Sequence, residues 1–219
     1  LFHLPSSPKL TTEELSQAVQ KKIPIFDKNK DEHYNLISAL HKSIRGSDVN
    51  AALYWLARML IGGEDPNYIS RRLLRLASED IGMADPNAVT HAISCWDGYM
   101  RVGSPEGDLF LAQSVIYLAT APKSNAAYKA FSNAVSIAKQ NSGLAPPKHI
   151  LNASTELMKN LGYGKNYSYD HNFANSFSGQ NYFPEEMERF SFYKPKETGF
   201  EKQIIKRLQY WEKLRQDKE

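Results

Sequence analysis

Cysteine is nearly absent from this 219-residue chain: Cys95 stands alone, which excludes an internal disulfide framework and suits a reducing compartment. No apolar run reaches the roughly 18 residues that a membrane span needs, and "LFHLPSSPKL" lacks the charged-then-apolar layout of a signal peptide. Period-two alternation of useful length is missing, so no strand is expected. Phosphate-loop chemistry is missing too. His41-Lys42-Ser43 has no Gly-x-x-x-x-Gly before it, and "GYGKN" at 162–166 has no Ser or Thr after its lysine. No Gly-x-Ser-x-Gly elbow and no His-Glu-x-x-His occur. His33 and His41 share a helix face about 12 Å apart, too far for one ion, while His91, His149 and His171 fall in separate segments. Cys95 beside Trp96 reads as a buried, inert thiol. Catalytic, cofactor-binding and metal-binding residues are therefore expected to be absent from this chain. A formal charge of +3 permits nucleic-acid contact without arguing for it.

What is present is helix punctuation. Asp65-Pro66, Asp85-Pro86 and Ser104-Pro105 each set an N-cap residue before a proline, whose fixed φ suits the first helical position. Ser47, or Asp48 beside it, and Ser124 are cap candidates of the same kind without proline. The spacing gives one helix plus turn for about every 18–20 residues, with Gly62-Gly63, Gly82 and Gly103 in the turns and Gly46 stopping the helix before Ser47. Apolar stripes follow: Leu53, Leu56, Ala57 and Leu60 in one unit, Ile69, Leu73, Leu76 and Ala77 in another. Residues 109–121, "LFLAQSVIYLATA", are apolar on nearly every side, which places that helix in a core or under a partner. Short links favour antiparallel neighbours, so the predicted fold is all-α, a meander of helical hairpins.

Upstream, 11–21 reads as a short capped helix and about 31–45 as a second, with "KKIPIFDKNKD" as the linker between them. Downstream of 141 come a Pro146-Pro147 loop, a short helix near 154–161, and an aromatic-rich irregular segment expected to wrap over helices and bury its rings singly. A final amphipathic helix carries Phe200, Ile204, Ile205, Leu208 and Trp211 on one side. The start at Leu1 rather than Met leads us to expect a piece of a longer protein.

Two polar clusters are left. Lys42, Arg45, Arg71, Arg72 and Arg75 form a basic ridge that either contacts DNA phosphate or is a solvated face paired with Glu79 and Asp80. In "APKSNAAY", capping accounts for Ser124, while Lys123 and Asn125 are left over as interface candidates. Phe110, Tyr117 and Tyr128, with Tyr54, Trp55 and Trp96, are aromatic anchors for an interface or plain core.

The runs "HYNLISALHKSIRGSDVNAALYWLARML", "GGEDPNYISRRLLRLASEDIGMADPNA", "RVGSPEG", "YLATAPKSNAAYKAF", "LMKNLGYGKNYSYDH", "YFP" and "FYKPKETGFE" together resemble the C-terminal half of the RarA/MgsA family. These are replication-associated recombination AAA+ ATPases, related to the Werner-helicase-interacting protein of eukaryotes. The resemblance implies that residues 1–26 are the tail of the ATPase lid and linker. Residues 27–219 would then be a helical oligomerisation domain like the collar of clamp-loader subunits. It implies a homotetramer, and an ATPase core upstream holding ATP and Mg. It also implies a cytoplasmic, nucleoid-associated parent that acts on single-stranded gaps, ends or forks of DNA, with single-stranded DNA-binding protein as a partner and no membrane. The family pattern assigns no catalytic residue to this half.

Overall fold

The computed structural model describes residues 30–218, all-helical and without a strand among them. In chain order the helices are α1 (Lys30–Arg45), α2 (Val49–Ile61), α3 (Pro66–Leu76), α4 (Asn87–Val102), α5 (Asp108–Thr120), α6 (Ala126–Gln140), α7 (Glu156–Asn160) and α8 (Glu201–Gln216). A π-helical turn, Ala77–Ile81, and a 3-10 turn, Gly82–Ala84, follow α3. The all-α expectation holds, while the helix expected at 11–21 lies outside the described residues.

Two compact units divide the chain. The first takes the described residues up to Leu73 plus Cys95–Thr120; the second takes Leu74–Ser94 and everything from Ala121 onward. In the first, α1, α2 and α5 pack on one another. Leu36, Ile37, Leu40 and Ile44 of α1 recur at helical spacing and are buried. Each fully buried Leu or Ile contributes roughly 1.5–3 kcal/mol. On α2 the buried stripe is Ala52, Leu56 and Met59, turned by about one position from the expected one; Ala57 faces solvent. The α3 stripe of Ile69, Leu73, Leu76 and Ala77 is buried as read from the sequence.

Helix α5 is two-sided. Leu111, Val115, Leu118 and Ala119 are buried, whereas Leu109 is 73% and Ile116 43% exposed on the other side. Trp96 of α4 donates its indole N–H to Asn67 Oδ1 at 2.9 Å, and a Cβ on Gly98 would lie 2.6 Å from the Phe110 ring. Phe110 is thereby half-buried against its own chain.

The helix boundaries mostly follow their caps. Asp65 carboxylate oxygens accept from Asn67 N and Tyr68 N, and Asp85 Oδ1 accepts from Asn87 N. Two expectations fail. Ser104-Pro105 does not open a helix; α5 starts at Asp108, because the Ser104 hydroxyl donates to Asp108 Oδ1 and the Asp108 and Leu109 amides bond back into the turn. At the end of α1 the left-handed residue is Ser47, φ 59°, not Gly46. Asp48 N donates to Ser43 O and Ser47 N to Ile44 O, the paired bonds of a Schellman stop. Asp48, whose carboxylate accepts from Ala51 N at 2.9 Å, then caps α2.

In the second unit the π and 3-10 turns pack on α6. The irregular segment departs most from expectation. No residue from 148 to 200 is fully buried, so the rings are not buried one by one. They cover each other instead: Phe190 stacks on Phe192 at 5.5 Å with 10° between planes, Phe183 lies 6.3 Å from both, and Phe177 packs on Trp211 at 5.4 Å. Paired rings shed water from two faces at once, which a chain with little regular structure achieves more readily than insertion between helices. Asp170 ties one loop of this segment, accepting Ser178 N on Oδ1 and the Tyr182 hydroxyl on Oδ2, each at 2.8 Å. Those bonds, Ser178 first, hold its carboxyl down at about 2.

A left-handed Ser costs about 1–2 kcal/mol that glycine avoids, so Ser47→Gly is expected to stabilise the chain by about 1 kcal/mol, read as a raised urea midpoint with unchanged slope. Because the folded carboxyl of Asp170 is depressed, its contribution is complete above the ordinary value near 3.8 and disappears as pH falls through about 2. The Ser178 amide resonance should titrate with that midpoint; a midpoint near 4 would show the loop tie to be absent.

Candidate functional site

The basic ridge is dispersed in its partners. Lys42 and Arg45 are exposed in the last turn of α1, where cations suit the negative end of the helix dipole. Arg71 pairs with Asp65 at 3.7 Å, and its guanidinium lies 6.0 Å from the centre of the Tyr68 ring. Arg72 is half-buried on the neighbouring side of α3. Arg75 donates from Nε to Glu79 Oε2 at 2.8 Å, the internal pair that the solvated-face reading anticipates. Lys42, Arg45, Arg71 and Arg72 belong to the first unit and Arg75 to the second.

The second cluster is more closely built. The π-helical turn of "SEDIGMADP" and the "APKSN" turn meet within the second unit: Ser124 N donates to Asp80 O at 2.8 Å, and a Cβ on Gly82 would stand 3.2 Å from Ser124 O. Gly82 has φ +51°, a conformation open to glycine at little cost. Ser124 is buried and its Oγ accepts from Ala126 N at 3.2 Å, so the hydroxyl caps α6 one residue before the formal cap, Asn125, whose side chain caps nothing. Asn125 Oδ1 is buried and accepts no hydrogen bond from a described group. Lys123 folds inward, donating to Ala121 O at 2.6 Å; burial pushes its ammonium down, and the Asp80 carboxylate opposes that shift.

A third strand of the chain, which sequence reasoning left unplaced, closes this cluster. Phe200 N donates to Ala84 O at 2.7 Å. Gly199 passes so close that a Cβ would lie 2.1 Å from Ala84 O and 2.8 Å from Pro122 Cγ. Two residues on, Glu201 is completely buried at the start of α8, accepting from the Tyr193 hydroxyl and from Lys196 N, each at 2.7 Å. Burial and that carboxylate push the Tyr193 phenol far above its ordinary value. The available signal was the pairing of Gly199 with an acidic residue inside "FYKPKETGFE"; periodicity could not show where it docks.

Beside this closure runs a groove lined by Arg75, Ser78, Glu79, Ala127, Tyr128 and Phe131, with both rings exposed. Tyr128 is thus presented to the outside, whereas Tyr117 is half-buried on α5. Cys95 is buried, and burial raises its thiol, which leaves little thiolate. No group of three potential metal ligands occurs among the described residues, and no helix there is long and apolar enough to cross a membrane. Carboxylate, ammonium and hydroxyl groups at the closure are occupied in fixing segments of the chain to one another.

Residues 4–45 match the family described as "AAA C-terminal domain". Residues 46–212 match "MgsA AAA+ ATPase C terminal", and the chain belongs to that family. It is 52% identical to "Replication-associated recombination protein A" of Haemophilus influenzae over 88% of this chain and 43% of that protein. It is 46% identical to the protein of the same name from Escherichia coli K12, over 91% of this chain and 45% of that one. It is also 42% identical to "ATPase WRNIP1" of Dictyostelium discoideum, over 86% of this chain and 22% of that protein. The chain spans less than half the length of these curated relatives.

Gly199→Ala is expected to destabilise the second unit by at least about 1–3 kcal/mol, since the methyl must displace backbone rather than a flexible side chain. Denaturant melts compared with Gly143→Ala, where a Cβ meets nothing within 4 Å, check this; equal losses at the two sites would refute the tight closure.

Proposed function

We propose that this chain is the assembly domain of a replication-associated recombination ATPase, holding its subunits as a homotetramer in the manner of a clamp-loader collar. The observation that carries the reading is the two-sided α5: one face forms the core of the first unit, and the other offers Leu109 and Ile116 to solvent. Seven residues apart, these two share a helix face, and apolar surface of that kind gains by being covered. Phe110 and Tyr117 lie on the same helix, and the exposed Tyr128 supplies a second contact point, with Lys123 and Asn125 shaping the turn behind it. ATP and Mg belong, in this reading, to the ATPase core of the parent, whose turnover DNA stimulates; this chain contributes no catalytic, cofactor or metal residue. The parent works in the cytoplasm at the nucleoid, on single-stranded gaps, ends or forks, alongside single-stranded DNA-binding protein. The exposed Lys42, Arg45 and Arg71, with the half-buried Arg72, favour a DNA-contacting role as well, with Arg75 a further member held by Glu79. Tetramer formation would multiply such weak patches through avidity.

Light scattering of the chain at tens of micromolar is expected to give about four chain masses, and Leu109→Asp with Ile116→Asp to give one. A monomer before substitution would sink the assembly reading. ATP turnover by the chain alone would contradict its non-catalytic role.

A further inference from the structure

The second unit holds a cavity of about 440 Å³ that is lined by no residue of the closure or of the basic ridge. Three stretches of chain build it, 148–149, 161–166 and 180–185. Hydrogen bonds fasten them together: Gly164 N donates to Lys148 O at 2.9 Å, and Gln180 Nε2 to Asn166 O at 3.5 Å. In the "GYGKN" loop, Gly162, Gly164 and Asn166 have φ of 83°, 71° and 65°. The chain therefore curls at every second residue there, and Lys165 comes to the same cavity as Lys148. Two side chains of the wall carry a buried polar atom that makes no hydrogen bond to the described chain, His149 Nε2 and Gln180 Oε1. Buried polar atoms are nearly always bonded, and leaving one unmet is costly. Gln180 has spent an amide N–H on Asn166, so its carbonyl oxygen needs a donor from outside the chain. Lys148 and Lys165 are exposed, and among the described residues no ion pair holds either to a carboxylate. Glu185 is the one acid on the wall, so with His149 neutral the lysines leave a surplus of positive charge.

These groups divide between two kinds of ligand atom. Lys148, Lys165 and His149 Nε2, when it carries the proton, can each donate to one of the three acceptor oxygens of a phosphomonoester. Lysine suits phosphate as a point charge, whereas a planar carboxylate is better met by an arginine fork, and no arginine lines the cavity. Gln180 Oε1 and the Glu185 carboxylate only accept, so they call for a hydroxyl or amino group on the same ligand. Leu161 and Gly162 give a short apolar side for its carbon skeleton, and the volume suits a small molecule. We infer that this cavity binds a small phosphomonoester bearing a hydroxyl or amino group. The phosphate lies on Lys148, Lys165 and His149, and the donor on Gln180. The inference goes beyond the assembly reading, and no step of catalysis is assigned to the ligand.

Titration calorimetry of the 219-residue chain with glycerol 3-phosphate, inorganic phosphate and glycerol tests it. Glycerol 3-phosphate is expected to bind at least about tenfold more tightly than inorganic phosphate, and glycerol about a hundredfold more weakly than the ester. Lys148→Gln with Lys165→Gln should weaken glycerol 3-phosphate at least about tenfold. Gln180→Met should bring glycerol 3-phosphate down to the level of inorganic phosphate, whose own affinity stays within about twofold, because only the ester's hydroxyl has lost its acceptor. The lysines are exposed, so their double variant keeps the test standing if Gln180→Met unsettles the loop. Absence of binding at about 10 mM glycerol 3-phosphate would overturn the site. Equal affinity for glycerol 3-phosphate and inorganic phosphate would also overturn it, since charge alone would then account for binding. So would a double lysine variant that binds within about twofold of the unmodified chain. Displacement of glycerol 3-phosphate by oligo(dT) at a lower phosphate concentration than by inorganic phosphate would overturn the small-molecule class in favour of a polymer.

Discussion

Three backbone segments far apart in sequence are fixed to one another by two main-chain hydrogen bonds, Ser124 N to Asp80 O and Phe200 N to Ala84 O. Everything in the second unit depends on that closure. The π-helical turn makes it possible. Widening the helix after Leu76 puts Asp80 and Ala84 carbonyls where segments from outside the helix can reach them, and π turns of this kind recur at functional positions. Gly82 and Gly199 then allow the approach, each at positive φ and each with a foreign carbonyl inside the space a side chain would need.

The polar chemistry around the closure follows from burial. Glu201 is completely buried, and a carboxylate there is tolerated only with its oxygens hydrogen-bonded, which Tyr193 and Lys196 N provide. Lys123 turns inward for the same reason, spending its ammonium on Ala121 O. These residues have types often met in active sites, yet their partners are backbone groups and one tyrosine hydroxyl of this chain. Their role is to position α6 and α8, and hence the surfaces those helices present.

The first unit is arranged differently. Its core is built from regular helix stripes, with Leu40 from α1, Leu56 from α2 and Leu118 from α5 among the buried residues, and it also buries His41, Glu64, Ser70 and Ser114. The far side of α5 leaves Leu109 and Ile116 exposed. The proposed assembly rests on that face and not on the charged patches, because covering apolar surface is favourable. Family membership agrees with a domain that works as part of a larger protein.

The sequence by itself determined the helical class, most of the helix starts and the family. Those depend on short-range physics: capping by Asp65 and Asp85, stripes such as Ile69–Leu73–Leu76, and long specific runs. Local rules failed where one side chain had two possible partners. Ser104 could cap a helix or bond Asp108, and either Gly46 or Ser47 could take the left-handed turn; spacing does not distinguish them. Of the candidate sites, the motifs were legible and their juxtaposition was not. "SEDIGMADP", "APKSNAAY" and "FYKPKETGFE" could each be singled out, but the meeting of Ala84, Pro122 and Gly199 is a contact across more than a hundred residues. The same holds for the aromatics: composition marked 162–184 as ring-rich, and only tertiary packing decided that Phe190 would stack on Phe192 and Phe177 on Trp211. Pairing of rings and docking of backbone on backbone depend on distances in space, which no periodicity along the chain encodes.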